Sequence, residues 1–271
     1  MRTPHAPEKS CAARSTVGTY NLIAGAASNS SCLQCIAGKA NPVPGSSDAS
    51  FCVDCQPGTI APNNGTGSCH KCVAGTFQNE AGKTACDLCP VGSYCAEGAS
   101  AALPCTKGSY SSTPGLSSAA NCTATSPGYS ASTGSTKQTK CSPGTVQPMA
   151  RMGACNKCAA GKYQAMEGEQ TCVACEPGSY CPAGASAALP CPAGTHSNRT
   201  DLSSAANCTP TVPGFHAPTG STDPTPCSAG TVQPRDAQPT CNKCDAGKFM
   251  NESGRTQCHV CVPGSYCAEG A

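Results

Sequence analysis

The large apolar residues of this chain stand alone, and no stretch repeats them at the three-to-four spacing of an amphipathic helix. What recurs is a short punctuated unit, C-x2-G-x-[FY]-x6-G-x3-C. It is present as CVAGTFQNEAGKTAC from Cys72, CAAGKYQAMEGEQTC from Cys158 and CDAGKFMNESGRTQC from Cys244. Ten of the 11 aromatics follow a glycine by one or two positions: Tyr20, Phe77, Tyr94, Tyr110, Tyr129, Tyr163, Tyr180, Phe215, Phe249 and Tyr266; Phe51 is the exception. The first glycine of the unit permits a turn with positive φ just after the cysteine. The aromatic then starts a short strand and is expected to lie against a disulfide. A second glycine, such as Gly82 or Gly168, turns the chain back to the closing cysteine. Each unit is thus predicted to be a small two-stranded loop stapled at its base, and the 24 scattered prolines argue against helix.

Longer periodicity organises these units. Cys69 and Cys72 recur as Cys155 and Cys158 and again as Cys241 and Cys244. Cys86, Cys89 and Cys95 recur as Cys172, Cys175 and Cys181, then as Cys258, Cys261 and Cys267; Cys105, Cys122 and Cys141 recur as Cys191, Cys208 and Cys227. Every offset is 86 residues, and GASAALPC and LSSAANCT each occur twice at that spacing. The predicted organisation is a partial module over 1–31, degenerate modules over 32–68, repeats over 69–154 and 155–240, and part of a third over 241–271. Cys32, Cys35 and Cys52 fall outside the register, whereas Cys55 aligns with Cys141. The sequence stops inside the third copy, so a piece of a longer protein is expected.

Composition says why staples are needed. Leu, Ile, Val and Phe number 25 of 271 residues, far below the roughly 20% under which chains tend to be disordered. With no Trp and so little large apolar surface, burial at about 25 cal/mol per Å2 supplies little. The 26 cysteines supply the alternative, and closing a loop of about 15 residues removes roughly 3 kcal/mol of unfolded-state entropy in the simple chain model. Disulfides at this density place the protein outside the cytosol, as an extracellular or cell-surface segment. The fold class expected is small and disulfide-rich: an elongated tandem array of cysteine-rich modules with short β-hairpins and little or no helix. The N-terminal MRTPHAPEKSC lacks an apolar core for a signal peptide, so a leader is expected upstream. No run of 18 apolar residues implies membrane insertion within the segment, and a net charge of +2 offers no field for nucleic acid.

CPVGSYCAEGASAALPCTKGSYS from Cys89 and CEPGSYCPAGASAALPCPAGTHS from Cys175, with the C-x2-C-x2-G-x-[FY] units around them, resemble the ephrin-receptor-like cysteine-rich repeat. That repeat is similar in style to cysteine-rich modules of growth-factor and tumour-necrosis-factor receptors. The resemblance covers nearly everything from Cys32 onward. It implies a non-catalytic extracellular segment of a surface protein, with a protein or glycan partner at the cell surface and no cofactor. It also implies that the cysteine before each G-x-[FY] turn pairs with the next: Cys35–Cys52, Cys55–Cys69, Cys72–Cys86, Cys141–Cys155, Cys158–Cys172, Cys227–Cys241 and Cys244–Cys258, with Cys11 and Cys32 left for each other. The four-cysteine blocks leave two arrangements open. Cys89, Cys95, Cys105 and Cys122 pair either in order or crossed, as Cys89–Cys105 and Cys95–Cys122. The same choice applies to Cys175, Cys181, Cys191 and Cys208. Crossed pairing is slightly favoured, and it would leave Cys261 and Cys267 apart.

Zinc is the rival chemistry. Cys69, Cys72, Cys86 and Cys89 have ribbon-like C-x2-C-x13-C-x2-C spacing, as do the quartets 155, 158, 172, 175 and 241, 244, 258, 261, with 32, 35, 52, 55 as a fourth. A cysteine-rich zinc-binding protein, each ion held by four thiolates, is therefore the alternative function, although it leaves ten cysteines unexplained. A thioredoxin-like role for the C-x2-C pairs would require one exposed pair at a helix start. Glycosylation sequons occur at Asn29, Asn64, Asn121, Asn198, Asn207 and Asn251, and the cysteines after Asn121 and Asn207 are expected to hinder glycan transfer. His196 occupies an aromatic position and reads as packing, His70 and His259 as exposed loop residues, and His5 and His216 cluster with nothing in sequence. No catalytic constellation stands out.

Overall fold

The computed structural model describes residues 16–22 and 32–271. The described residues form fourteen two-stranded antiparallel sheets, every strand two residues long, with three one-turn 3-10 segments at Ala49–Phe51, Ala119–Asn121 and Ala205–Asn207 and no α-helix. Strands this short do not stand alone in water; each is held by a tight turn at one side and a covalent or backbone link at the other.

The hairpin around Gly144 shows how the sequence builds one module. Ser142-Pro143-Gly144-Thr145 makes a turn in which the Thr145 N–H and hydroxyl both donate to the Ser142 carbonyl, at 3.0 and 2.6 Å. Proline fixes φ at the second turn position, and Gly144 takes φ +82° at the third, as a type II turn requires. Thr145–Val146 then pairs with Asn156–Lys157 in the register Thr145↔Lys157 and Val146↔Asn156. The Gly144 carbonyl accepts from the Cys158 N–H at 2.9 Å, and the Cys141–Cys155 bridge closes the base with its Cα atoms 5.6 Å apart. The C-x2-C motif is therefore one strand with a cysteine at each end. Cys155 reaches back to Cys141, and Cys158 reaches forward to Cys172.

Contacts divide the chain into two units: Met1–Thr125 with Ala131–Gln138 and Arg151–Gly153, and Ser126–Ser130 with Thr139–Ala150 and Ala154–Ala271. Inside each unit the modules join by the same backbone bonds. In the first, the turn N–H of Gly58 donates to Gln78 O (2.7 Å) and that of Gly75 to Cys95 O (2.8 Å), while the second-turn Gly82 and Gly98 donate back to Cys55 O and Cys72 O, each at 2.8 Å. In the second, Gly144 donates to Gln164 O (2.7 Å) and Gly161 to Cys181 O (2.8 Å), with Gly168 donating back to Cys141 O (2.9 Å) and Gly184 to Cys158 O (2.7 Å). Second-turn positions need positive φ but not glycine: Arg151, Asp201 and Ala237 take it there, with φ of 61°, 61° and 52°.

Twelve disulfides are present among the described residues. The first unit holds Cys35–Cys52, Cys55–Cys69, Cys72–Cys86, Cys89–Cys95 and Cys105–Cys122. The second holds Cys141–Cys155, Cys158–Cys172, Cys175–Cys181, Cys191–Cys208, Cys227–Cys241, Cys244–Cys258 and Cys261–Cys267. Crossed pairing is thus overturned in favour of pairing in order, and Cys261 is bonded to Cys267. The reason is local. Cys95 follows the strand Ser93–Tyr94 of the same hairpin that Cys89 opens, which brings their Cα atoms to 5.9 Å, whereas Cys105 opens the next hairpin and meets Cys122 at its base. The Cys11–Cys32 pairing lies outside the described residues.

The expected packing of an aromatic on a disulfide is seen at Tyr180, which lies on Cys191, Cys208 and Leu202. Tyr266 departs from it and is 90% exposed. His70 and His259 lie in strands, His70–Lys71 and His259–Val260, and not in loops; both strands are exposed, as expected of these histidines.

Candidate functional site in the repeated module

From Gly38 to Gly247, the position three residues after each first-turn glycine is closed off from solvent. Asn41, Ala61, Gln78, Cys95, Ser111, Ala131, Gln147, Gln164, Cys181, Ser197, Ala217, Gln233 and Met250 all occupy it, and all are buried. The next residue faces out in every one of these modules, from Pro42 and Pro62 to Asn198 and Asn251. Each module thus has an inward slot followed at once by an outward position.

Glutamine fills the slot with a defined task. Gln147 donates from Nε2 to the Ala154 carbonyl at 2.8 Å and accepts at Oε1 from the Met149 N–H at 3.2 Å. Gln78, Gln164 and Gln233 do the same, donating to Ala85, Thr171 and Thr240 (2.9, 2.8 and 2.7 Å) and accepting from Glu80, Met166 and Arg235 (3.0, 3.0 and 3.2 Å). The acceptor always precedes the closing cysteine, so the carboxamide clamps the loop beside the bridge. The cysteine and glycine pattern does not reveal this clamp, although a glutamine third after the glycine and seventh before Ala or Thr signals it. Asn41 is a variant, donating to Thr19 O at 3.0 Å and to Ser46 Oγ at 2.9 Å. Gln147→Leu, which fits the space and removes both bonds, is expected to cost about 1–3 kcal/mol of local stability by stranding a carbonyl and an N–H. Faster amide exchange at Met149, with its neighbours in adjacent hairpins unchanged, is the measurement.

The motif also hides substitutions of cysteine itself. Thr125 and Thr211 stand where other modules have their opening cysteine, and each is 1% exposed. Their hydroxyls accept from the Met152 and Gln238 N–H groups at 3.1 and 3.2 Å, which satisfies a polar atom in a place where sulfur is elsewhere cross-linked. These two hairpins, Tyr129–Ser130 with Thr139–Lys140 and Phe215–His216 with Thr225–Pro226, have no bridge of their own.

The zinc quartets do not survive this geometry. Cys69, Cys72, Cys86 and Cys89 are divided among the bridges Cys55–Cys69, Cys72–Cys86 and Cys89–Cys95, so no thiolate set is left to hold a metal. The quartets from Cys155 and Cys241 are divided in the same way. In the fourth, Cys35, Cys52 and Cys55 are likewise bridged. The described residues contain no group of three His, Cys, Asp or Glu placed to hold an ion. The same bridges occupy the sulfurs that a thioredoxin-like reading would need.

Other polar chemistry lies at the surface. A depression of about 650 Å3 beside the Cys35–Cys52 bridge is lined by Tyr20, Ile36, Val53 and the Lys39–Asp54 ion pair, whose N–O distance is 2.9 Å. Asp48 caps the Ala49–Phe51 turn by accepting from the Ser50 N–H at 2.7 Å, which holds its carboxyl below the usual carboxylate range. Glu80 beside Lys83 pushes that ammonium's pKa up. His216 contacts the Pro239 carbonyl at 3.2 Å, and His196 sits half-buried in its strand. Of the sequons, Asn64 accepts from the Ala37 N–H at 2.8 Å, Asn121 and Asn207 end 3-10 turns, Asn198 and Asn251 are outward loop positions, and Asn29 lies outside the described residues, as does His5.

No curated protein matches the chain. Residues 58–102 match the family model described as tyrosine-protein kinase ephrin type A/B receptor-like. That stretch runs from the turn glycine Gly58 through two complete hairpins and the first strand of a third, stopping just before its second strand Leu103–Pro104, and it includes the Cys72–Cys86 and Cys89–Cys95 bridges. Within residues 58–102 the cysteine-rich module is thus similar to the ephrin-receptor-like repeat, with its cysteines bridged in order.

Proposed function

We propose that this segment is a non-catalytic extracellular spacer, part of the stalk or ectodomain of a surface or secreted protein. One observation carries the reading: the two sulfurs of a C-x2-C strand go to different loops, as at Cys155 and Cys158, so successive modules are closed covalently and joined to their neighbours by a repeated backbone bond. An arrangement of this kind is lengthened by adding copies, with stability close to a sum of local terms. The buried positions are spent on staples and clamps, which favours a scaffold over a reaction centre. Twelve bridges are stable only in an oxidising compartment, which supports the extracellular assignment. Among the described residues no helix is long and apolar enough to cross a membrane. Partners of such a segment are proteins or glycans met at the outward positions.

The test is removal of one period. Deleting 69–154 joins Ser68 to Cys155, the residue equivalent to Cys69, and hands Cys155 to Cys55. Between a membrane anchor and a fluorescent head, the shortened chain is expected to reach the cell surface fully bridged and to bring the head nearer the membrane, as read by energy transfer to a membrane dye. Retention inside the cell, or an unchanged head distance, would overturn the spacer reading.

A further inference from the structure

Four of the described sequons fall into two structural classes. Asn121 and Asn207 occupy the same place in successive copies, at the end of a 3-10 turn and directly before a closing cysteine. Their side-chain oxygens are engaged: that of Asn121 accepts from Ser117 and Ser118 hydroxyls (3.1 and 3.0 Å), and that of Asn207 from Ser203 Oγ, Ser204 Oγ and the Ser204 N–H (2.9, 3.0 and 3.0 Å). The rest of each sequon is also committed. Cys122 is bridged to Cys105 and Thr123 is paired with Tyr110; Cys208 is bridged to Cys191 and Thr209 is paired with His196.

Asn198 and Asn251 share a different place. Each follows the buried slot residue, Ser197 at 4% exposure and Met250 at 2%, and each takes the outward position. Neither Asn198-Arg199-Thr200 nor Asn251-Glu252-Ser253 contains a strand residue or a cysteine. Among the described residues neither carboxamide has a hydrogen-bond partner. A large polar substituent there displaces nothing from the core and breaks no ladder bond.

We infer that Asn198 and Asn251 are the N-glycan attachment sites of these four, and that the folded hairpin base withholds Asn121 and Asn207. In the transfer, Nδ2 of the asparagine forms a bond to the anomeric carbon of a lipid-linked oligosaccharide diphosphate. The bond from that carbon to the diphosphate oxygen breaks, the lipid diphosphate leaves with the electron pair, and the amide gives up one proton. The acceptor segment must be free to enter an enzyme cleft in an extended or turned form, which a loop can do and a bridged strand cannot. The inference rests on the extracellular reading, since the donor is met only on the secretory route.

The experiment uses the full chain behind a secretory leader in a eukaryotic cell. Secreted protein is treated with peptide N-glycosidase in heavy-oxygen water, which turns each glycosylated Asn into labelled Asp, and peptides are mapped by mass. Label is expected at 198 and 251 and absent from 121 and 207; Asn198→Gln and Asn251→Gln each remove one glycan from the intact mass. Cys105→Ser frees Cys122 from its bridge and is expected to make Asn121 an acceptor, read in cell lysate if the variant is retained. Secreted, bridged protein with 198 and 251 unlabelled, or with 121 and 207 labelled as heavily, overturns this inference and leaves the extracellular reading standing. Failure of the unmodified chain to be secreted with its bridges formed overturns both.

Discussion

Gly144→Ala is expected to unseat its module by about 2–4 kcal/mol, the sum of a left-handed backbone penalty near 1–2 kcal/mol and an overpacking cost of similar size. Gly144 is asked for three things. Its φ is +82°, its N–H donates to Gln164 O at 2.7 Å, and its Cα lies so close to a later turn that an added Cβ would stand 2.2 Å from the Gly184 carbonyl oxygen. That oxygen belongs to backbone, so no rotamer change relieves the clash. Gly168→Ala is the control. It has φ +76°, but the nearest atoms its Cβ would meet belong to the Lys140 side chain at 3.7 Å, and the cost should stay at the backbone term of about 1–2 kcal/mol. The chain displays the same contrast among its own copies. Second-turn positions admit Arg151, Asp201 and Ala237, whereas every first-turn position in the described modules is glycine. Amide exchange at Cys158, whose N–H bonds to the Gly144 carbonyl, reads the effect locally; this is preferable to a single melting temperature, which is not well defined for a repeat array. Equal effects from the two substitutions would show that conformation alone, and not the close approach, demands glycine.

Much of this architecture is legible in the residues because cysteine and glycine each impose a strong local constraint. The turn at Gly144, the strand after it and the staple behind it all follow from the cysteine, the glycine directly before the strand and the distance to the next cysteine. The inward slot is harder to see. Asn41, Ala61, Gln78, Cys95 and Ser111 share it while spanning the polarity scale, because what the slot selects is a size and an ability to pair, and hydropathy registers neither. A two-residue strand is also too short to show alternation, so the outward position stays hidden until the inward one is located. The four-cysteine block is ambiguous in sequence for a related reason. Cys95 is at once a cysteine and a slot residue, and spacing alone does not say that the slot places it against Cys89. Thr125 and Thr211 escape notice because the motif that defines the module is written with the residue they replace.

Reduction is expected to abolish the fold, and the composition of the buried set is the reason. The fully buried positions are mostly cysteines, alanines and paired polar side chains, with Leu202, Val146, Val232 and Met250 as the larger apolar contributions. A bridge between residues 14 apart contributes about 3 kcal/mol in the chain-entropy model, a large share of what any one hairpin can have. Cys141→Ser with Cys155→Ser removes one such staple and should raise amide exchange of Cys158, whose N–H bonds to the Gly144 carbonyl, about 100-fold, since each 1.4 kcal/mol is about a factor of ten. Full reduction without denaturant should erase protection at every hairpin and expose the chain to protease throughout, while a chelator alone should change nothing. The hairpins opened by Thr125 and Thr211 sharpen the test. They form without a bridge of their own, held by bonds such as Arg151 N–H to Thr125 O at 3.1 Å and Ala237 N–H to Thr211 O at 2.9 Å. If neighbours supply their stability, these two should lose protection on reduction together with the bridged hairpins, although no sulfur of theirs has changed. If they stay protected, the modules are independently stable and the staples are secondary.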